Sequence, residues 1–84
     1  MATFVVRLDA GDHAEAMAAL DAIALAPDLF LVRSDLTQSR LYHLVKRETG
    51  TAALFVGRLA ERPKFKGMAA GSLAALRDRD PPPD

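Results

Sequence analysis

Ala22-Ile23-Ala24-Leu25-Ala26-Pro27-Asp28-Leu29-Phe30-Leu31-Val32-Arg33-Ser34 is the stretch that decides how this chain folds. Its first five residues can be read in two ways. Alanine is the strongest helix former, so residues 22–26 can prolong the helix before them as far as Pro27. Yet Pro27-Asp28 is turn chemistry, and an apolar run restarts at once at Leu29. On that reading residues 22–26 are a short edge strand entering a hairpin.

The first reading makes the chain βαβαβα, a small parallel sheet whose right-handed crossovers the segment lengths barely permit. The second makes it an α+β domain of βαββαβ order, the ferredoxin-like plan, with an extra C-terminal helix. The second explains the Pro27-Asp28 turn, suits 84 residues and is favoured.

Outward from this stretch, three runs resemble one another: Phe4-Val5-Val6-Arg7-Leu8, Phe30-Leu31-Val32-Arg33-Ser34 and Phe55-Val56-Gly57-Arg58-Leu59. They begin 26 and then 25 residues apart, and each is soon followed by an acid, Asp9, Asp35 or Glu61. They read as three strands of one sheet.

Between them, Asp12 with Glu15 three residues on is a capping-box arrangement opening a helix with Ala16, Met17, Leu20 and Ile23 on its buried stripe. Asp35 with Gln38 opens a second helix, lined inside by Leu41, Leu44 and Val45. It closes with Lys46 and Arg47 in the last turn and Gly50 as terminator. Thr51–Leu59 is the last strand. Arg62–Gly67 is a basic loop, and Met68–Arg77 a final short helix with Leu73 and Leu76 inward and Ser72 as an alternative cap. Residues 1–79 form one domain, and 80–84, with three prolines, a disordered tail.

Half of the residues are hydrophobic and 26% are charged, which supports one small core. A chain of this size gains from dimerisation. The absence of cysteine excludes disulfides and thiolate metal sites and fits a cytoplasmic protein. No basic leader followed by an apolar stretch opens the chain, and no run approaches the ~20 apolar residues of a membrane helix.

The net charge of zero hides a division. Residues 1–39 hold two bases and six acids; residues 40–79 hold nine bases and three acids. A basic half is suited to phosphate backbones, unless the two halves interleave in space and neutralise each other.

Strand alternation places Phe4, Val6, Leu8, Phe30, Val32, Phe55 and Leu59 toward the helices. The opposite, open face would carry Val5, Arg7, Leu29, Leu31, Arg33, Leu54, Val56 and Arg58, an apolar middle edged by arginines and suited to sheet-to-sheet dimerisation. In this order Arg7 and Arg33 are expected at one edge on adjacent parallel strands, with Arg58 at the other. An RNA-recognition domain shows aromatics on such a face; here they are expected on the core side, leaving Phe65 of the basic loop as the aromatic able to stack. His13 and His43 lack ligand spacing and are expected on the exterior. Gly67–Ser72 precedes a helix but lacks the lysine of a phosphate loop.

Val5-Val6-Arg7-Leu8-Asp9, then Leu29–Leu36 and Leu54–Leu59 across a helix, resemble the small ferredoxin-fold proteins of the CRISPR-associated endonuclease-like family and its stand-alone relatives. The resemblance spans roughly residues 3–60. It implies that Asp9, near a dimer axis, holds Mg or Mn for phosphodiester cleavage. The family's serine and aromatic signature in the later strand is absent. From the residues themselves, Asp9 is a turn former.

The expectation is a homodimeric domain of a defence or toxin–antitoxin system that binds DNA, RNA or a protein. Phosphate contacts would come from Arg58, Arg62, Lys64 and Lys66, with Arg7 and Arg33. The alternatives are a nuclease using Asp9 as catalytic and metal-binding residue, and a protein-interaction module acting through the open sheet face.

Overall fold

The computed structural model describes residues 1–9 and 11–79. Its elements are β1 (Ala2–Leu8), α1 (Ala14–Ala19), β2 (Ile23–Ala26), β3 (Leu29–Ser34), α2 (Gln38–Thr49), β4 (Leu54–Arg58) and α3 (Ser72–Arg79). The sheet runs β2-β3-β1-β4 with every neighbouring pair antiparallel, the ferredoxin-like βαββαβ plan plus one helix. The expected tail, 80–84, lies outside the described residues.

Residues 23–26 become a strand because α1 is stopped before them. Ala22 N–H donates to Met17 O at 3.1 Å and Asp21 N–H to Ala18 O at 2.9 Å. These two bonds are a Schellman motif, with Asp21 as its left-handed residue at φ 56°. The chain then pairs with β3 from Ile23↔Leu31 onward, with an irregularity between Ala24 and Ala26 before the Pro27-Asp28 turn.

The helix starts differ from expectation. Thr37, not Asp35, caps α2, its Oγ1 accepting from Arg40 N–H at 3.2 Å. His13 stands at the N-cap of α1 without a side-chain cap bond, and Asp12 Oδ1 accepts from Ala14 N–H at 3.3 Å. Asp35 instead faces the N-terminal amine at 3.4 Å. Gly50 ends α2 at φ 60°, as its position after the last turn predicts.

Two cores lie on either side of the sheet. Phe4, Val6, Leu8, Phe30 and Val32 pack with Met17, Leu41 and Val45 beneath α1 and α2. On the other face Ile23, Leu25 and Leu31 pack with Leu76, fully buried, while Val5, Leu29, Leu59 and Phe65 close around them. This corrects the expectation of an open sheet face: α3 and the basic loop cover it over β2 and β3. The outward residues of those strands are large and apolar. Burying Leu76 alone contributes about 2 kcal/mol toward holding this two-turn helix on them. Leu73, expected inward, is 38% exposed.

The phase of β4 is also the reverse of expectation. Pairing Leu8↔Leu54, Val6↔Val56 and Phe4↔Arg58 puts Leu54, Val56 and Arg58 on the α1/α2 face, and Leu54 and Val56 pack on that core. Phe55 and Gly57 therefore face outward, and Phe55 is 61% exposed. A one-residue change of phase exchanges the faces of a whole strand. Two branched aliphatics fill the main core where one phenylalanine was expected.

Candidate functional surface

Asp9 ends β1 and ties two loops together. Its Oδ1 accepts from His13 Nε2 at 2.6 Å and from Gly11 N–H at 3.0 Å; its Oδ2 accepts from Ala52 N–H at 2.8 Å. Asp9 N–H donates to Thr51 Oγ1 at 3.3 Å. The loop after β1 is thereby fastened to the loop before β4. The His13 bond first, then the two backbone donors, hold the carboxyl well below the usual carboxylate range. An ionised carboxylate only accepts, so Nε2 carries the proton of this bond.

His13, expected on the exterior, is buried, its side chain 9% exposed. His43 is exposed, edge-on to Tyr42. A divalent metal on Asp9 would compete with three hydrogen-bond donors, and among the described residues no group of three or more His, Cys, Asp or Glu is gathered. The geometry makes Asp9 a loop fastener, the turn-forming role its position after a strand suggests.

The arginines divide two and one, but not as expected. β1 and β3 are antiparallel, so Arg33 lies opposite Thr3 and Arg58 opposite Phe4, both at the start of β1, while Arg7 lies at its far end. Arg7, 71% exposed, faces Asp28 at 3.6 Å. Arg33 donates to Thr3 Oγ1 at 2.8 Å, and Arg58 N–H donates to Gln38 Oε1 at 3.0 Å.

The basic loop continues from this pair. One surface depression is lined by Thr3, Arg33, Arg58, Glu61 and Arg62. The next, of about 480 Å³, is lined by Arg62, Pro63, Lys64, Phe65, Leu73 and Arg77. A third carries Lys66 beside the same Phe65, Leu73 and Arg77. Arg62 is common to the first two and Arg77 to the last two, so Arg33, Arg62, Lys64, Lys66 and Arg77 form one connected surface, with an apolar floor in its last two parts, and Arg58 borders it at the end of β4. Phe65 belongs to that floor, half-buried against the second core, and is not the projecting ring that the sequence suggested.

Two residues of this side of the molecule escape sequence reasoning. Arg77 follows Leu73 by four residues and so shares its helix face. It was missed because Leu73 was expected inward. Phe55 was assigned to the core by analogy with Phe4 and Phe30. The signal that could have placed it outward is Gly57, two residues on and hence on the same face, where it leaves room for a ring.

No protein-family model, curated protein or solved structure matches this chain.

Proposed function

We propose that this domain binds nucleic acid and contacts the phosphate backbone through Arg58, Arg62, Lys64 and Lys66, joined by Arg77. One observation carries the reading: Arg62 lines two adjoining depressions, one with Arg33 and Arg58 and one with Lys64 and Arg77. Cations brought from three elements onto one connected surface make a phosphate-binding footprint. Three of the acids are engaged by other groups: Asp9 fastens the β1 and β4 loops, Asp28 faces Arg7, and Asp21 is bonded to Arg79 at 3.0 Å, while Asp35 lies beside Arg58. Glu61 is the acid on the rim.

The test is fluorescence anisotropy of labelled DNA and RNA oligonucleotides at low and at physiological salt. Binding that weakens as salt rises supports the proposal; no binding at low salt overturns it.

A further inference from the structure

Phe55 stands apart from the other phenylalanines. Phe4 and Phe30 are buried in the main core and Phe65 is half-buried in the second, whereas Phe55 lies on the outward face of β4. Its ring is not loose on the surface. A Cβ at Gly57 would stand 3.1 Å from Phe55 Cε1, 3.5 Å from its Cζ and 3.6 Å from Val5 Cγ1. The far end of the ring therefore occupies the space that a side chain at position 57 would need. The glycine lets the ring settle along its own strand and leaves the other side of the ring to water.

Across the sheet, Phe55 pairs with Arg7. On the same outward face, four residues back along β1, Thr3 pairs with Arg33, beside Arg62. At the rise of an antiparallel strand these two points are about 14 Å apart.

We propose that Phe55 is a stacking platform for an unpaired base, and that the domain takes single-stranded nucleic acid in preference to duplex. The inference rests on the phosphate-binding reading above and deepens it. A base stacks on any exposed aromatic face, and duplex bases are already stacked on each other, so only a single strand can use the ring. The strand would run from the ring along β1 toward Arg33 and Arg62, where its phosphates meet the basic surface. Asp28, which faces Arg7, and Asp9 line the same depression as Phe55. Their charge disfavours a phosphate directly on the ring and leaves that place to the base.

A second copy of the chain is the competing occupant, and the fold works against it. The edge of β4 is blocked at Arg58, whose N–H is taken by the Gln38 side chain. The β2 edge is met by Ala69 N–H, which donates to Leu25 O at 2.8 Å. The outward face between the edges is half covered by α3.

The experiment compares a twelve-nucleotide single strand, the same length of abasic sugar–phosphate strand and a duplex, each by anisotropy at one salt concentration. The intact single strand should bind more tightly than the abasic one. Phe55→Ala should lower affinity for the intact strand by about 5- to 150-fold, the range of one lost base–aromatic stack, and leave the abasic strand unchanged. Phe55→Tyr should restore stacking. Lys64→Gln with Lys66→Gln should weaken both strands alike. Intact and abasic strands bound equally, with Phe55→Ala neutral, would overturn the platform and leave the phosphate reading standing. No binding of any strand would overturn both. If light scattering shows a dimer that Phe55→Ala converts to monomer, with affinity for all three ligands falling together, the ring belongs to contact between copies and the proposal fails.

Discussion

Asp9 and Asp21 show how single acids do structural work here. Asp9 accepts two hydrogen bonds within its own loop, from Gly11 and His13, and one from Ala52 that ties this loop to the start of β4, and its side chain is 30% exposed. Its folded pKa is depressed, so its contribution is present above the ordinary carboxylate pKa of about 4 and is lost as pH falls below that value. Asp9→Asn should be less stable than the parent at pH 6, and the gap should narrow progressively below about pH 4, where the unfolded parent takes up a proton that the folded carboxylate still lacks. Urea midpoints at a series of pH values check this; a gap that stays constant down to pH 2 contradicts it.

Asp21 is a non-glycine residue in the left-handed region, a conformation that costs about 1–2 kcal/mol and is worse for a β-branched side chain. Asp21→Val should therefore destabilise by about 2 kcal/mol. Asp21→Gly should be near neutral. It relieves the left-handed strain but gives up the ion pair with Arg79, which as an exposed contact contributes at most about 1 kcal/mol. Urea unfolding of both variants separates these effects.

At the scale of elements, α3 is the addition that changes what the sheet can do. It is two turns long, and its hold on the sheet rests on Leu76, set among Ile23, Leu25 and Leu31. Leu76→Ala should cost about 2–5 kcal/mol, with the larger value expected if the helix stays docked over a cavity. Loss of α3 alone would expose the outward face of β2 and β3, so amide exchange should accelerate at Ala69 and along α3 before it does in β1. A cost under 1 kcal/mol would mean that the helix contributes little to the fold.

Most of the element order was legible in the sequence: three strands, the two sheet-backing helices and the extra helix follow from periodicity and Gly50, while Pro27-Asp28 favoured, without fixing, residues 22–26 as the fourth strand. What was not legible is which way a strand with three consecutive apolar residues turns. Leu54, Phe55 and Val56 can fill the core with either phase, and only pairing with β1 selects one. The resemblance among the three Phe-x-x-Arg runs misleads at this point, since the third copy is inverted relative to the other two.

At the scale of the whole molecule, the charge division does not turn into two charged hemispheres. Arg7 meets Asp28 and Arg79 meets Asp21, which ties cations to acids across elements. A connected basic surface runs from Arg33 and Arg58 through Arg62 to Lys64, Lys66 and Arg77. If it neutralises three phosphates of a single strand, the logarithm of affinity should fall against the logarithm of salt with a slope of about −2. Replacing Lys64 and Lys66 together by glutamine should make that slope shallower by about 1 to 1.5. A salt titration of parent and variant measures both, and an unchanged slope removes those two lysines from the phosphate contacts.

Composition, spacing and turn chemistry by themselves determined a small domain of strands and helices with a phenylalanine-lined core and a basic loop after the last strand, and favoured the α+β plan over a parallel sheet. These properties are local: an apolar period, a proline, a glycine and a run of charge act over a few residues. The tertiary structure alone decided that α3 covers the sheet, that Arg33 and Arg58 share one end while Arg7 stands at the other, and that Phe55 faces water. Each of these depends on strand direction and register. Those are set by which side chains fill the space between elements distant in sequence, and no local window contains that information.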